Sequence, residues 1–174
     1  MNLHELNCTF LGVMLESVTE LYDFTYIKGK KGCNPRAEWR GEFMNLGIIA
    51  HNSKKVLIED FCIAYKNILA KHEVYATGTT GRRIEEATSL HVHKFLAGSI
   101  GGDKQFMEMV ERQDLDMVIL FYNPVMMDPV EPDIMSIVKR CDQYNIPVAT
   151  NIATAELLIL GLARGDLDWR LNLK

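Results

Sequence analysis

A glycine-rich stretch that ends in a carboxylate is the part of this sequence best suited to chemistry. It runs from Ala97 to Asp103 and reads AGSIGGD. Glycines let a ligand approach the main chain closely, and the amides at a helix start attract anions. A carboxylate held beside an anion is disfavoured in its charged form, which would make Asp103 a better base. The alternative is a helix-capping aspartate after a glycine turn, which the local sequence alone favours.

A second stretch, from Thr77 to Gly81, reads TGTTG and offers three hydroxyls beside several main-chain amides. At the start of a helix, this combination suits a phosphate group. It is not a Walker A loop, because no Gly-Lys-Ser/Thr follows, and it is not a G-x-G-x-x-G motif. A turn with a threonine helix cap is an equally good interpretation of these residues alone.

Three further side chains could take part in the same chemistry. Lys55 follows the first apolar run after a short loop and could supply a positive charge, although a solvated helix face explains it as well. His51 ends that run, where a hydrogen-bonded structural histidine is the more common case. Asp133 opens a helical pattern, so it either complements the helix dipole or places a second carboxylate near the ligand.

The elements that must position these residues alternate regularly from residue 44 onward. Short apolar runs predict strands at 46–50, 74–76, 92–96, 117–121 and 148–149, and helical patterns predict helices at 55–71, 80–88, 103–113, 133–144 and 153–163. Five such alternations predict an open, doubly wound parallel sheet with right-handed crossovers and helices on both faces.

The residues that follow the predicted strands share a small or polar character. They are His51-Asn52, Thr77 to Gly81, Ala97-Gly98 with Asp103, Asn123-Pro124 and Thr150-Asn151. In open α/β sheets, ligands bind beyond the carboxyl ends of the strands. We therefore expect a ligand site at this edge of the sheet.

Length and composition place limits on the class of protein. The 174 residues suffice for one α/β domain at 44–174 and a partly helical N-terminal extension at 1–43. No apolar run approaches the roughly 20 residues of a membrane helix, and no signal peptide is evident. The four cysteines are scattered along the sequence, which indicates reduced thiols in a cytosol rather than a zinc site or disulfides. The net charge of −4 argues against a nucleic-acid-binding surface.

Residues 44–171 resemble the methylglyoxal synthase family. The matching strings are GIIAHNSKK, YATGTTGRRIEEAT, AGSIGGDKQ, NPVMMDPVEPD, YNIPVATNIATAE and RGDLDWR, in that order. The resemblance implies a three-layer Rossmann/flavodoxin-like fold and conversion of dihydroxyacetone phosphate to methylglyoxal and inorganic phosphate. It also implies no metal or organic cofactor, a cytoplasmic homo-oligomer that is typically a hexamer, and phosphate as product and effector.

The resemblance also assigns roles to individual residues. It implies that Asp103 is the base that removes a proton beside the carbonyl, with Asp133 and His51 as further catalytic residues. It implies that the phosphate is held by His51, Lys55, Thr77, Thr79, Thr80 and Gly98, and that Arg170 reaches it from a neighbouring subunit.

Four positions depart from the family pattern. Asn52, Ala97, Asn123 and Val130 stand where the family has Asp, Ser, Asp and His, respectively. Val130 is the most serious departure, because its side chain can neither donate nor accept a hydrogen bond. Two other functions therefore stay open: a phosphate- or metabolite-binding regulatory module of the same fold, and a lyase or isomerase for another small sugar phosphate. Asp103 favours the synthase, because a pure phosphate-binding module has no need of a carboxylate there.

If Val130 limits the chemistry, a Val130→His variant should turn over dihydroxyacetone phosphate faster than the wild type. A gain in kcat of about tenfold or more is expected, because one donor to a developing oxyanion is worth about 10²–10³-fold. Steady-state phosphate release would measure the gain. A variant that folds normally and is no faster would contradict the idea.

Overall fold

The computed structural model of the chain describes residues 43–125 and 134–173. The predicted extension, apart from its last residue, lies outside these ranges, as do Val130 and Asp133. No helix in the described ranges is long and apolar enough to cross a membrane.

The five predicted strands are all present and form one parallel sheet. Their bounds are β1 Asn45–Ala50, β2 Glu73–Ala76, β3 Val92–Lys94, β4 Met117–Phe121 and β5 Val148–Ala149. The order across the sheet is β3-β2-β1-β4-β5. The chain thus winds outward from β1 to β3 and then returns to the other side of β1. A topological switch point, where ligands of open sheets bind, lies between β1 and β4.

The helices follow the predicted alternation with small shifts at their ends. Their bounds are α1 Lys55–Ala64, α2 Lys66–Leu69, α3 Gly78–Thr88, α4 Gly102–Glu111, α5 Ile134–Gln143 and α6 Ile152–Arg164. Short 3-10 turns occupy Asn52–Lys54, Gly98–Ile100 and Asp168–Leu173. The helix predicted at 55–71 is interrupted at Tyr65, whose φ of −103° and ψ of 18° leave the helical range.

Helices cover both faces of the sheet. α1 packs against α3, and α4 packs against α5. Right-handed crossovers in opposite directions place these two pairs on opposite faces. On the α4–α5 face, Phe106 and Val110 join Ile134 and Ile137 in a fully buried apolar cluster with Leu120 of β4. The central strands β1 and β4 are therefore enclosed on both sides, which explains their near-continuous apolar sequence.

The predicted strand at 92–96 ends early because the glycine-rich turn begins at once. β3 ends at Lys94, and the carbonyl oxygen of Leu96 accepts a hydrogen bond from the amide of Gly78 at 3.0 Å. Gly101 then adopts a φ of +104°, a conformation that strongly favours glycine. A Cβ atom on Gly102 would lie 1.8 Å from the Leu96 oxygen, so only glycine fits at the start of α4.

We expect Gly102→Ala to lower the free energy of unfolding by about 3 kcal/mol or more, because overpacking against a backbone cannot be relieved by a side-chain rotation. Gly161→Ala is the matched control, since the nearest atoms to its Cβ would belong to the flexible side chains of Asp166, at 3.4 Å, and Arg164, at 3.8 Å. Within α6 that control should gain about 0.5–1 kcal/mol from helix propensity. Urea unfolding of both variants measures the difference. Equal stabilities would show that Leu96 can move aside.

Candidate active site

Three helices begin at the carboxyl edge of the sheet and bring the predicted site residues together. α1 follows His51 at the end of β1, α3 follows Thr77 at the end of β2, and α4 follows the turn after β3. Among the described residues, no side-chain hydrogen bond caps the start of any of these three helices. The first amide of each helix donates to a backbone carbonyl, so the amides that follow it in the first turn are the ones placed to bind an anion.

Lys55 joins the loops that follow the first two strands. Its side chain is buried, and its ammonium donates to Thr79 Oγ1 at 3.1 Å and to Asn52 Oδ1 at 2.5 Å. Lys55 is also the first residue of α1, where the helix dipole is positive and disfavours a cation. A cation held at a helix start is stabilised by an anion beside it, so this geometry supports an anion site.

The threonine loop is built around buried hydroxyls. Thr77 and Thr80 are buried, and the Thr77 hydroxyl donates to the Thr80 hydroxyl at 3.3 Å. Thr79, in contrast, is exposed and faces Lys55. Thr77 occupies the N-cap position of α3, but its side chain does not accept from the helix amides. The alternative of a threonine-capped turn is therefore not formed, and no side chain of the described residues caps the amides of Thr79 and Thr80.

Leu96 connects the threonine loop to the helix that carries Asp103. Its carbonyl oxygen accepts from Gly78 as described, and its amide donates to Gln105 Oε1 at 2.8 Å. The amide of Gly102 donates to the Ala97 carbonyl at 3.0 Å. These contacts hold the starts of α3 and α4 side by side. Gly98 lies in the 3-10 turn between them.

Asp103 lies in the first turn of α4, one residue inside the helix. The N-cap is Gly101, so the interpretation of Asp103 as the capping residue is wrong. Its side chain is half-buried. No ion pair joins it to residues 43–125 or 134–173. Within these ranges, the carboxylate thus has no paired cation, in the helix whose start is held beside the threonine loop.

His51 occupies the switch point between β1 and β4. Its amide donates to the Phe121 carbonyl at 2.9 Å, and its ring Nδ1 accepts from the Asn123 amide at 3.4 Å. An imidazole that accepts at Nδ1 carries its proton at Nε2 in the neutral form. His51 can therefore donate a hydrogen bond from Nε2. The Asn123 side chain is engaged locally, because its Oδ1 accepts from the Val125 amide at 3.1 Å.

Two predicted polar positions have other roles in the described structure. Asn151 caps its own helix, because its Oδ1 accepts from the Thr154 amide at 3.0 Å. Arg170 lies at the opposite, amino edge of the sheet. Its Nη1 donates to the Asn145 carbonyl at 2.6 Å, and its Nε lies 3.9 Å from Oδ1 of the buried Asp116. The structure does not bring Arg170 together with the other site residues of the same chain.

Asn52 and Gln105 belong to this site, although the sequence assigns neither of them a role. Asn52 is one of the polar strand ends and a departure from the family pattern, and the structure adds that it is a hydrogen-bond partner of Lys55. Gln105 supports Leu96 from within α4. The three-residue spacing of Asn52 and Lys55 at a helix start was the available signal. No group of three or more His, Cys, Asp or Glu side chains in the described ranges is placed to hold a metal ion.

Comparisons with known proteins agree with this geometry. A family model described as "MGS-like domain" matches residues 58–150. The methylglyoxal synthase of Caldicellulosiruptor saccharolyticus is 56% identical over 127 residues, which are 73% of this chain and 90% of that protein. The methylglyoxal synthase of Geobacillus thermodenitrificans is 53% identical over 127 residues, which are 73% of this chain and 88% of that protein.

A solved structure shares the fold as well. The crystal structure of methylglyoxal synthase from Elizabethkingia anophelis NUHP1 superposes with a TM-score of 0.65 at 32% sequence identity. The match covers 67% of this chain and 77% of that chain.

The contacts of Arg170 lead to a prediction about its role. Arg170→Leu should lower the free energy of unfolding by about 3 kcal/mol, because it leaves the buried Asp116 carboxylate without its cation. Arg164→Leu is the matched control, since Arg164 pairs with Asp166 on the surface, where such a pair contributes about 0–1 kcal/mol. Chemical denaturation measures both.

The same variant tests whether Arg170 contacts the phosphate that a neighbouring subunit binds. If its role is confined to the amino edge, folded Arg170→Leu protein should bind inorganic phosphate within about twofold of wild type. A loss of about tenfold, or about 1.4 kcal/mol, in a folded variant would support the contact across subunits instead.

Proposed function

The chain belongs to the methylglyoxal synthase family of lyases, and we propose on that premise that it converts dihydroxyacetone phosphate to methylglyoxal and inorganic phosphate. The observation that carries the proposal is the position of Asp103. Its carboxylate lies in the first turn of a helix whose start is held against the threonine loop by the backbone of Leu96. A base beside a phosphate site is what this reaction requires.

Phosphate binding in this proposal uses Lys55 and the threonine loop. The ammonium of Lys55 and the hydroxyl of Thr79 are 3.1 Å apart and would contact the same phosphate oxygens. The amides of Thr79 and Thr80 in the first turn of α3, together with the hydroxyls of Thr77 and Thr80, would supply further donors, and Gly98 would let the ligand approach the main chain. The phosphate is the leaving group, so donors that strengthen as its charge develops lower the barrier.

Asp103 would remove a proton from the hydroxymethyl carbon of the substrate. The electron pair of that C–H bond forms the double bond of an ene-diolate, and negative charge moves to the carbonyl oxygen. The hydroxyl group of the ene-diolate then loses its proton to the departing phosphate and becomes the aldehyde, while the carbon–oxygen bond to phosphate breaks and the enolate of methylglyoxal forms. Addition of the proton that Asp103 removed to the methylene carbon of this enolate gives methylglyoxal, so the atoms balance without an oxidant or reductant. Positioned proton transfer of this kind contributes about 10²–10⁴-fold.

His51 is the residue we propose as donor to the ene-diolate oxygen. Its Nδ1 accepts from the Asn123 amide, which leaves the proton on Nε2. A neutral imidazole that donates from Nε2 can stabilise developing negative charge on the substrate. This would substitute for the histidine that the family has in place of Val130. Asp133 stays a proposed second carboxylate, since it lies outside the described residues.

The remaining proposals rest on the family. We propose a cytoplasmic homo-oligomer, with six subunits as the family norm and phosphate as an effector as well as product. Arg170 of a neighbouring subunit would contact the phosphate only if its present contacts with Asn145 and Asp116 were exchanged.

The first test is phosphate release from dihydroxyacetone phosphate by purified wild-type protein and by Asp103→Asn. We expect kcat of the variant to fall by at least about 10²-fold, because the amide cannot accept the proton. Asp142→Asn is the matched control, since Asp142 is an exposed residue near the end of α5 and should retain wild-type kcat.

The other outcomes separate the alternatives. Wild-type protein that binds inorganic phosphate but releases none from dihydroxyacetone phosphate would favour the binding module. Turnover of another small sugar phosphate, with none of dihydroxyacetone phosphate, would favour the lyase or isomerase that acts on a different substrate. An Asp103→Asn variant as active as wild type would show that another group is the base.

A further inference from the structure

The side chain of Asn52 directs the ammonium of Lys55. Its Oδ1 accepts from Lys55 Nζ at 2.5 Å, and Thr79 Oγ1 accepts from the same nitrogen at 3.1 Å. An ammonium has three donors, and these two contacts define the direction in which it points. Asn52 begins the 3-10 turn that leads into α1, so its oxygen and the ammonium meet over one turn of backbone.

The acceptor on Asn52 is uncharged, which matters for an anion site. An amide oxygen orients the ammonium without adding a negative charge beside it. A carboxylate at the same place would orient it equally well and would repel a phosphate held a few ångströms away. Because Asn52 is exposed while Lys55 is buried, this repulsion would act partly through solvent and would depend on salt.

We propose that Asn52 is a positioning residue that sets the affinity of this site for phosphate esters. It orients Lys55 toward Thr79 without adding a negative charge to the loop. This inference rests on the proposed function, since it assumes that Lys55 binds the substrate phosphate. The proposed function assigns no role to Asn52. The inference adds Asn52 as a residue that sets phosphate affinity through the orientation of Lys55 by an uncharged acceptor.

A merely structural role for Asn52 would have a different signature. A single part-buried hydrogen bond of this kind contributes about 0.5–1.5 kcal/mol to folding, and a structural role would show only as that small shift of the unfolding transition. Positioning of Lys55 should instead change the dissociation constant of inorganic phosphate and the KM for dihydroxyacetone phosphate. The kcat should change less, because Asn52 is not proposed to touch the reacting carbon.

The experiment compares Asn52→Asp with Asn52→Ala. The first variant keeps an acceptor and adds a charge, whereas the second removes the acceptor and adds none. Asn67→Asp is the matched control, since it places the same added charge on an exposed asparagine of α2, ahead of the amino end of β2. Calorimetry with inorganic phosphate and steady-state kinetics with dihydroxyacetone phosphate are measured at about 0.01 M and about 1 M salt, where the Debye lengths are about 30 Å and about 3 Å.

At low salt, we expect Asn52→Asp to raise both the phosphate dissociation constant and the KM about three- to tenfold relative to wild type, and at high salt the ratio should approach one. Asn52→Ala should raise both by a similar factor that does not depend on salt. Asn67→Asp should stay within about twofold of wild type at both salt concentrations.

Failure of this inference is distinguishable from failure of the proposed function. If wild-type protein releases phosphate from dihydroxyacetone phosphate but both Asn52 variants stay within about twofold of it in phosphate affinity and KM, the positioning role is wrong and the function stands. If kcat falls while both binding constants are unchanged, Asn52 acts on the chemistry instead, and the inference is also overturned. Wild-type protein without turnover would refute the proposed function, and calorimetry with inorganic phosphate would still decide the role of Asn52.

Discussion

The close backbone contact at Leu96 is the constraint on which the rest of the candidate site depends. Its carbonyl oxygen accepts from Gly78 at 3.0 Å and leaves no room for a Cβ atom on Gly102. A Cβ on Gly78 would likewise lie 2.8 Å from the carbonyl oxygen of Phe95. Two helices can therefore begin side by side only because glycine occupies the first position of each. Their dipoles then point toward one place, which is where an anion is best stabilised.

The two edges of the sheet use polar residues in opposite ways. At the amino edge, Asp116 accepts from the Asn45 amide at 2.8 Å and lies near Arg170, so buried charges are matched within the protein. Burial lowers the pKa of the nearby His72 to about 4, which keeps its ring neutral there. At the carboxyl edge, hydroxyls, helix amides and the ammonium of Lys55 converge, and that ammonium donates to the uncharged oxygens of Asn52 and Thr79. The first arrangement holds the C-terminal turn in place, and the second offers hydrogen-bond donors to an anionic ligand.

The asparagines that depart from the family pattern are integrated into this carboxyl edge. Asn52 accepts from Lys55, and Asn123 uses its amide to fix the His51 ring and its side chain to hold the Val125 amide. All three contacts need an oxygen acceptor or a backbone donor rather than a negative charge. The substitutions thus fit the local geometry and remove negative charge from the site, which favours anion binding and leaves in place Asp103, the base that we propose.

The sequence alone determined the order of the elements and the edge at which a ligand would bind. Apolar runs and helical periodicity are local properties, and the crossover rule converts them into a parallel sheet, so all five strands and the polar strand ends were predictable.

Only the tertiary structure decided which of these polar strand ends lie together in one site. Asn151 and Thr77 follow strands alike, yet one caps its helix and the other does not. The partners of Arg170 are Asn145 and Asp116, which lie far from it in the sequence. These contacts place Arg170 at the amino edge of the sheet. Such contacts join residues far apart in the chain, and they form only when packing has brought the segments together.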